Sequence, residues 1–325
     1  MVRDVTKLKK AKIEKKDEFY TQLSDIEKEL EHYVSHFKGK IVYSNCDNHG
    51  SNFVKYFNEN FDRLQLKDYW YTPDNFKHDT TVEFLKKADI VVTNPPFSIF
   101  RKYFSLLTEH KKDFLVIASM TALTNKVIFP YIQEGKIWVG RTPKVAGMDF
   151  IVPESYAEEG VKQGVSIIKY KSGKYGLSVS KALWLTNLEN GREERRIELK
   201  ETYDPKKYKK YDNYDAIEVS GVSKIPKDYP GIMGVPVSFL PRHNPNQFEI
   251  LGCTQRGCHD LVPDTRKYDD YWEVKQDGKK TGSSGKKTNE NPVIKGDNKR
   301  TNYFTNGERT VHSLYSRVFI RNKEL

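Results

Sequence analysis

Cysteine is scarce in this 325-residue chain: Cys46, Cys253 and Cys258 are its three thiols. An odd, low count excludes a disulfide framework and fits a reducing compartment. Cys253 and Cys258 with His243 and His259 resemble a zinc set only superficially, because the four-residue gap and the missing fourth thiol are wrong for one. No metal is expected. Long apolar runs are lacking too: none approaches the ~18 residues of a membrane span. The basic start MVRDVTKLKKAKIEKKDEF has no apolar stretch behind it to act as a secretory signal. The expectation is a cytoplasmic protein with no membrane association. Also missing are a catalytic Cys or Ser-His-Asp arrangement, a Walker loop and any internal repeat.

What is present points elsewhere. Fifty-five Lys and Arg against 44 Asp and Glu leave a formal charge of +11. Such a balance favours a polyanionic partner, nucleic acid foremost. Hydrophobic residues at 37% and aromatics at 13% supply a real core, and the length suits about two domains.

Apolar residues at Phe19, Leu23, Ile26, Leu30 and Phe37 recur at helical spacing, with Ser24 and Glu27 at capping-box distance, so a helix is expected to end near Gly39. Short apolar runs then alternate with helical patterns. Strands are expected at Lys40–Cys46, Asp89–Thr93, Phe114–Ser119 and Ile137–Gly140, and later in FIV and ALWLT; helices are expected over FVKYFNENF, TTVEFLKKA, Phe100–Leu107 and TNKVIFPYIQEG. This alternation predicts a mostly parallel sheet covered on both faces, with its ligands beyond the carboxyl ends of the strands. After about residue 190 the character shifts to the helix-like NGREERRIELKETY, a tyrosine-rich segment and short strands ending in RVFIRN. Lys275–Arg300, rich in Gly, Ser, Lys and Asn, reads as a flexible basic loop.

Asn94-Pro95-Pro96-Phe97 directly follows the strand DIVVT. Two prolines stiffen the loop and deny it N–H donors, leaving a rigid platform of acceptors. The Asn94 side-chain oxygen and the Pro95 carbonyl can each take one hydrogen of an exocyclic NH₂, drawing its lone pair toward an electrophile, while Phe97 offers a face to a planar ring. These four residues are therefore the candidate catalytic set for a heteroaromatic amine.

Here the chain resembles the EcoRI-type adenine-specific DNA methyltransferase (modification methylase) family. The resemblance runs through DEFYTQLSDIEKEL, KIVYSNCDNHGSNFVKYF, FLKKADIVVTNPPFSIFRKYF, GMDFIVPE, ALWLTNL, YDNYDAIEV, IPKDYPGIMGVPVSFLPRHNPNQFEILG and RVFIRN, nearly the whole length. It implies an α/β fold: a Rossmann-like S-adenosylmethionine-dependent sheet over residues 1–190 with the NPPF loop, and an appended mixed α/β target-recognition region over 191–325. It implies methyl transfer from S-adenosylmethionine to N6 of a flipped-out adenine in double-stranded DNA at a GAATTC-like site in a restriction-modification system, by a functional monomer. One cofactor wall falls on Phe19, Tyr20 and Thr21. The other falls on Asn45, Asp47, Asn48, Ser51 and Asn52 with Asn94, and Asp47 is placed to meet a cationic amino-acid end. Members of the family carry a longer segment before Asp89, and a glycine-rich F-x-G-x-G loop is missing here. Asp74 and Asn75 stand where an adenine contact is expected. Two alternatives stay open: a catalytically inactive DNA-binding protein on the same fold, and methylation of another planar amine such as cytosine N4, RNA adenine or a protein glutamine. In the basic stretch, Lys275, Lys279, Lys280, Lys286 and Lys287 are the expected DNA contacts, to phosphate rather than bases.

Overall fold

A computed structural model describes residues 20–73, 79–142, 147–162, 164–179, 181–255, 258, 260–297 and 301–325. The chain forms two compact units. One ends at Ala122 and resumes over Ile137–Asn190; the other comprises Leu123–Lys136 and Gly191–Leu325. A division at residue 190, as expected from composition, places Leu123–Lys136 in the first unit instead.

The first unit opens with a two-residue strand, β1 (Tyr20–Thr21), and the helix α1 (Leu23–Leu30). The cap of α1 is extended Gln22 rather than Ser24, because Tyr20 and Thr21 are held in a strand pairing with Ile151 and Phe150. The helical path breaks into a 3-10 turn at Glu31–Tyr33, resumes over Val34–Phe37 and stops at Gly39, whose φ of +70° suits glycine. There follow β2 (Ile41–Ser44), α2 (Asn52–Glu59), β3 (Asp68–Tyr71), α3 (Asp79–Lys87), β4 (Ile90–Thr93), α4 (Phe100–Glu109), β5 (Asp113–Ser119), β6 (Trp138–Val139), β7 (Met148–Val152), β8 (Ile167–Lys169), β9 (Tyr175–Val179) and β10 (Ala182–Thr186).

The main sheet has the order β3-β2-β4-β5-β10-β6; β3, β2, β4 and β5 are parallel, and β10 runs antiparallel between β5 and β6. Every residue of β4 and the middle of β5 are buried, as strands covered on both faces require. The segment between α2 and Asp89 is short, yet Asp68–Tyr71 within it forms the edge strand beside β2. The chain leaves β2 toward β3 on one side and returns to β4 on the other. This reversal opens a crevice beyond the carboxyl ends of β2 and β4, where open α/β sheets bind ligands. The FIV strand does not join this sheet; β7 belongs to a separate antiparallel sheet, β1-β7-β9-β8.

The second unit holds β11 (Ile217–Glu218), β12 (Met233–Pro236), β13 (Phe248–Cys253), β14 (Trp272–Val274), β15 (Lys280–Ser284), β16 (Val293–Lys295), β17 (Tyr303–Thr305), β18 (Thr310–Ser313) and β19 (Arg317–Asn322). They form two sheets, β11-β12-β19-β13 and β15-β14-β17-β18-β16. Two expectations are corrected here. NGREERRIELKETY is not a helix: only Arg192–Glu194 turns, as a 3-10 segment after left-handed Gly191, and Gln247 bonds both the N–H and the carbonyl of Ile197 in place of helical partners. Nor is Lys275–Arg300 one flexible loop. β15 pairs with β14, a 3-10 turn follows at Gly285–Thr288, and β16 pairs with β18. Glycine makes this possible, since a Cβ at Gly285 would collide with the Tyr268 carbonyl and the Tyr271 side chain.

Candidate active site

Asn94 leaves the end of β4 half-buried, Pro95 is buried, and Pro96 and Phe97 are half-buried at the entry to a 3-10 turn, Phe97–Ile99, that runs into α4. The missing proline N–H groups cost nothing here, because the strand has ended and α4 has not begun. The Phe97 ring meets Phe150 of β7 edge-on, with centroids 6.3 Å apart.

Across the strand reversal, the turn after β2 is pinned from three directions. Asp47, 6% exposed, accepts from the Ser51 hydroxyl at 2.5 Å on one carboxylate oxygen and from the Thr93 hydroxyl at 2.5 Å on the other. Burial pushes its carboxyl up to about 6 despite these two donors. Thr93 immediately precedes Asn94, so Asp47 ties the β2 turn directly to the acceptor loop. Fully buried Asn45 accepts from the Tyr103 hydroxyl of α4 at 2.7 Å, and its Nδ2 has no partner among the described residues. Burial raises the Tyr103 hydroxyl well above its ordinary range, which keeps it a neutral donor. Toward β1, Asn48 donates to the Tyr20 hydroxyl at 3.2 Å and Asn52 to the Thr21 carbonyl at 2.7 Å. Ser51 caps α2 by accepting from the Phe53 N–H. The Thr21 hydroxyl is buried and has no partner among the described residues.

Tyr20, Thr21, Asn45, Asp47, Asn48, Ser51 and Asn52 thus surround one turn, and Asp47 links it to the NPPF loop. Their roles divide. Ser51 and Asn52 hold backbone, Asp47 already accepts two hydroxyls, and Asn45 and Thr21 keep buried polar atoms unpaired. Phe19, Asp74 and Asn75 lie outside the described residues. Sequence reasoning missed Thr93 and Tyr103. Tyr103 could have been found from the spacing of Phe100, Tyr103, Phe104 and Leu107, the buried face of α4. Burial and then the charge of Asp47 push the Cys46 thiol far above its ordinary range, which disfavours the thiolate that nucleophilic attack needs.

In the second unit the five lysines differ. Lys280 lies 4.0 Å over the Trp272 ring. Lys287 pairs with buried Glu273 at 2.9 Å; burial alone would raise that carboxyl, but bonds from Thr281, Lys287 and Asn302 outweigh it and hold Glu273 at about 2. Lys279 stands 3.7 Å from Asp277, while Lys275 and Lys286 are exposed. Among the described residues no group of three or more His, Cys, Asp or Glu is placed to hold a metal, and no helix is long and apolar enough to cross a membrane.

The NPPF loop and a pinned polar turn thus meet at the strand reversal of the main sheet. The family model described as adenine-specific methyltransferase EcoRI matches residues 7–73 and 69–323, and the chain belongs to that family. It is 40% identical over 299 residues to the Type II methyltransferase M.EcoRI of Escherichia coli, covering 77% of this chain and 90% of that one. It is 34% identical over 272 residues to the Type II methyltransferase M.MgeORF184P of Mycoplasma genitalium (75% and 85% covered) and 35% identical over 272 residues to M.MpnI of Mycoplasma pneumoniae (75% and 84%). No solved structure matches the chain. The protein is a DNA methyltransferase.

Proposed function

We propose that this enzyme transfers methyl from S-adenosylmethionine to N6 of adenine at a specific site in duplex DNA, on a Rossmann-like first unit, with residues 191–325 reading the target. The observation that carries the reading is the Thr93–Asp47–Ser51 link at the strand reversal, which holds the turn after β2 in fixed register with Asn94. Two buried polar atoms without partners among the described residues, Asn45 Nδ2 and Thr21 Oγ1, fit a polar ligand that completes them. S-adenosylmethionine, when bound, supplies a methyl group already activated on a sulfonium.

The rest of the chemistry belongs to this chain. Asn94 Oδ1 and the Pro95 carbonyl accept the two hydrogens of the adenine amine, holding its lone pair toward the methyl. Phe97 stacks on the ring, which must leave the duplex to reach the loop. Asn45, oriented by Tyr103, donates into the cofactor site. The target is a GAATTC-like sequence in double-stranded DNA, and the enzyme serves a restriction-modification system.

The test is methylation of a plasmid of known sequence by purified protein and S-adenosylmethionine, with every modified base mapped. N6-methyladenine confined to one short sequence is the expected product, and Asn94→Ala should lower the single-turnover rate about 10²-fold or more while DNA binding stays within a few-fold. Methylcytosine, or an Asn94→Ala protein of normal rate, would overturn the assignment.

A further inference from the structure

Tyr315 lies between β18 and β19 in the second unit and is 88% exposed. Folding gains almost nothing from a ring left in water, so packing does not account for it. The backbone beneath that ring is nevertheless held firmly. Arg317 Nη1 donates to the Tyr315 carbonyl at 2.9 Å and to the Ser316 carbonyl at 3.3 Å. Its Nε and Nη2 grip Glu218 at 3.1 and 2.8 Å, and the Arg317 side chain is only 10% exposed. Glu218 is fixed in turn by the Tyr211 hydroxyl, and the Arg317 backbone bonds Thr254 through both its N–H and its carbonyl. A buried charge pair is tolerable only with its hydrogen bonds satisfied, as they are here. Its effect is to deliver one aromatic ring to solvent on a preorganised turn.

We propose that Tyr315 stacks on a nucleobase of the bound DNA. A tyrosine gives large, rigid contact area at little entropic cost, and a base step opened by kinking of the bound duplex presents a face to accept it. The ring does not belong to an extended apolar docking face. Ser313 and Ser316 flank it in sequence, and Leu314 packs against the core cluster of Tyr211, Tyr214 and Phe319. The inference rests on duplex DNA being the substrate, as proposed above, and adds to it a base contact made by residue 315.

The experiment uses the full-length protein and a duplex carrying the site mapped on the plasmid, each pyrimidine replaced in turn by its photoreactive 5-iodo derivative. Wild type should cross-link through Tyr315 at one or two positions, identified by mass spectrometry of the peptide. Tyr315→Ala should bind about 5- to 150-fold more weakly, the range that one stacked base represents, while Tyr315→Phe and Tyr315→Trp stay within about threefold. Unfolding midpoints should be unchanged throughout, since the ring is exposed. A Tyr315→Ala protein that binds like wild type, with no adduct on Tyr315, overturns the proposal. So does a Phe variant as weak as Ala, which would assign the contact to the hydroxyl. Wild type that binds no duplex at all removes the DNA reading and this inference together, whereas binding indifferent to residue 315 removes only the latter.

Discussion

Asp47 sits in the fold at a cost to stability when ionised. Its carboxyl moves from an ordinary 3.8 to about 6 because burial outweighs the bonds from Ser51 and Thr93. The folded protein therefore holds this proton more tightly than the unfolded chain does. Its contribution to stability is fully present below about pH 4 and is lost as the pH rises through about 6. Asp47→Asn, which keeps the size and hydrogen-bonding reach, should stabilise the protein by about 1–3 kcal/mol at pH 8 and leave it unchanged near pH 4, read from urea unfolding at both values. The Tyr103 hydroxyl acts in the opposite sense, as a buried neutral donor that adds stability. Tyr103→Phe removes the donor to Asn45 Oδ1 and should cost about 1–3 kcal/mol in unfolding free energy. Because Asn45 is then free to turn, KM for the methyl donor should rise more than kcat falls, a split that steady-state kinetics will read.

At the scale of elements, the β14–β15 pair recasts the basic stretch as a surface of unequal lysines. Lys287 is tied to Glu273, whose side chain is 7% exposed against 60% for the lysine. Lys287→Ala should therefore act on the fold, costing about 1 kcal/mol by depriving a buried carboxylate of its charged donor. Lys275, Lys279 and Lys286 stand differently, all exposed, with Lys279 loosely paired to Asp277. Replacing these three with Gln should leave the unfolding midpoint alone and flatten the slope of log K against log salt by about 0.9 for each phosphate no longer neutralised. An unchanged slope would make them bystanders.

At the scale of the molecule, residues 123–136 belong with the second unit although residues on both sides of them belong with the first. Within this stretch α5 (Phe129–Gln133) packs against β13, Gln133 bonds the Leu251 carbonyl at 2.9 Å, and Ile128 and Phe129 are fully buried. Burying those two side chains and Ile132 is worth roughly 5 kcal/mol or more, comparable with the whole stability of a small domain. A fragment spanning 191–325 should thus lack cooperative unfolding and near-ultraviolet dichroism, and fusing residues 123–136 to it through a flexible linker should restore both. A cooperative 191–325 fragment without the fusion would contradict this.

Local chemistry carries far in this chain. The run Asp89–Thr93 is apolar enough to be a buried strand wherever it lies, two prolines must stiffen the loop after it, and the family resemblance rests on the same letters. Alternating strands and helices likewise announce the parallel sheet, because each element buries its own periodic face. What no window of sequence contains is which strands are neighbours. Asp47 meets Thr93 across 46 residues only because β2 and β4 lie side by side, and β1 exists only through pairing with β7, two residues being too few for any period to register. The polar stretch after Lys275 becomes sheet for the same reason. Its order comes from partners supplied by β14 and β18 rather than from apolar residues of its own, and such pairing is a property of the folded chain alone.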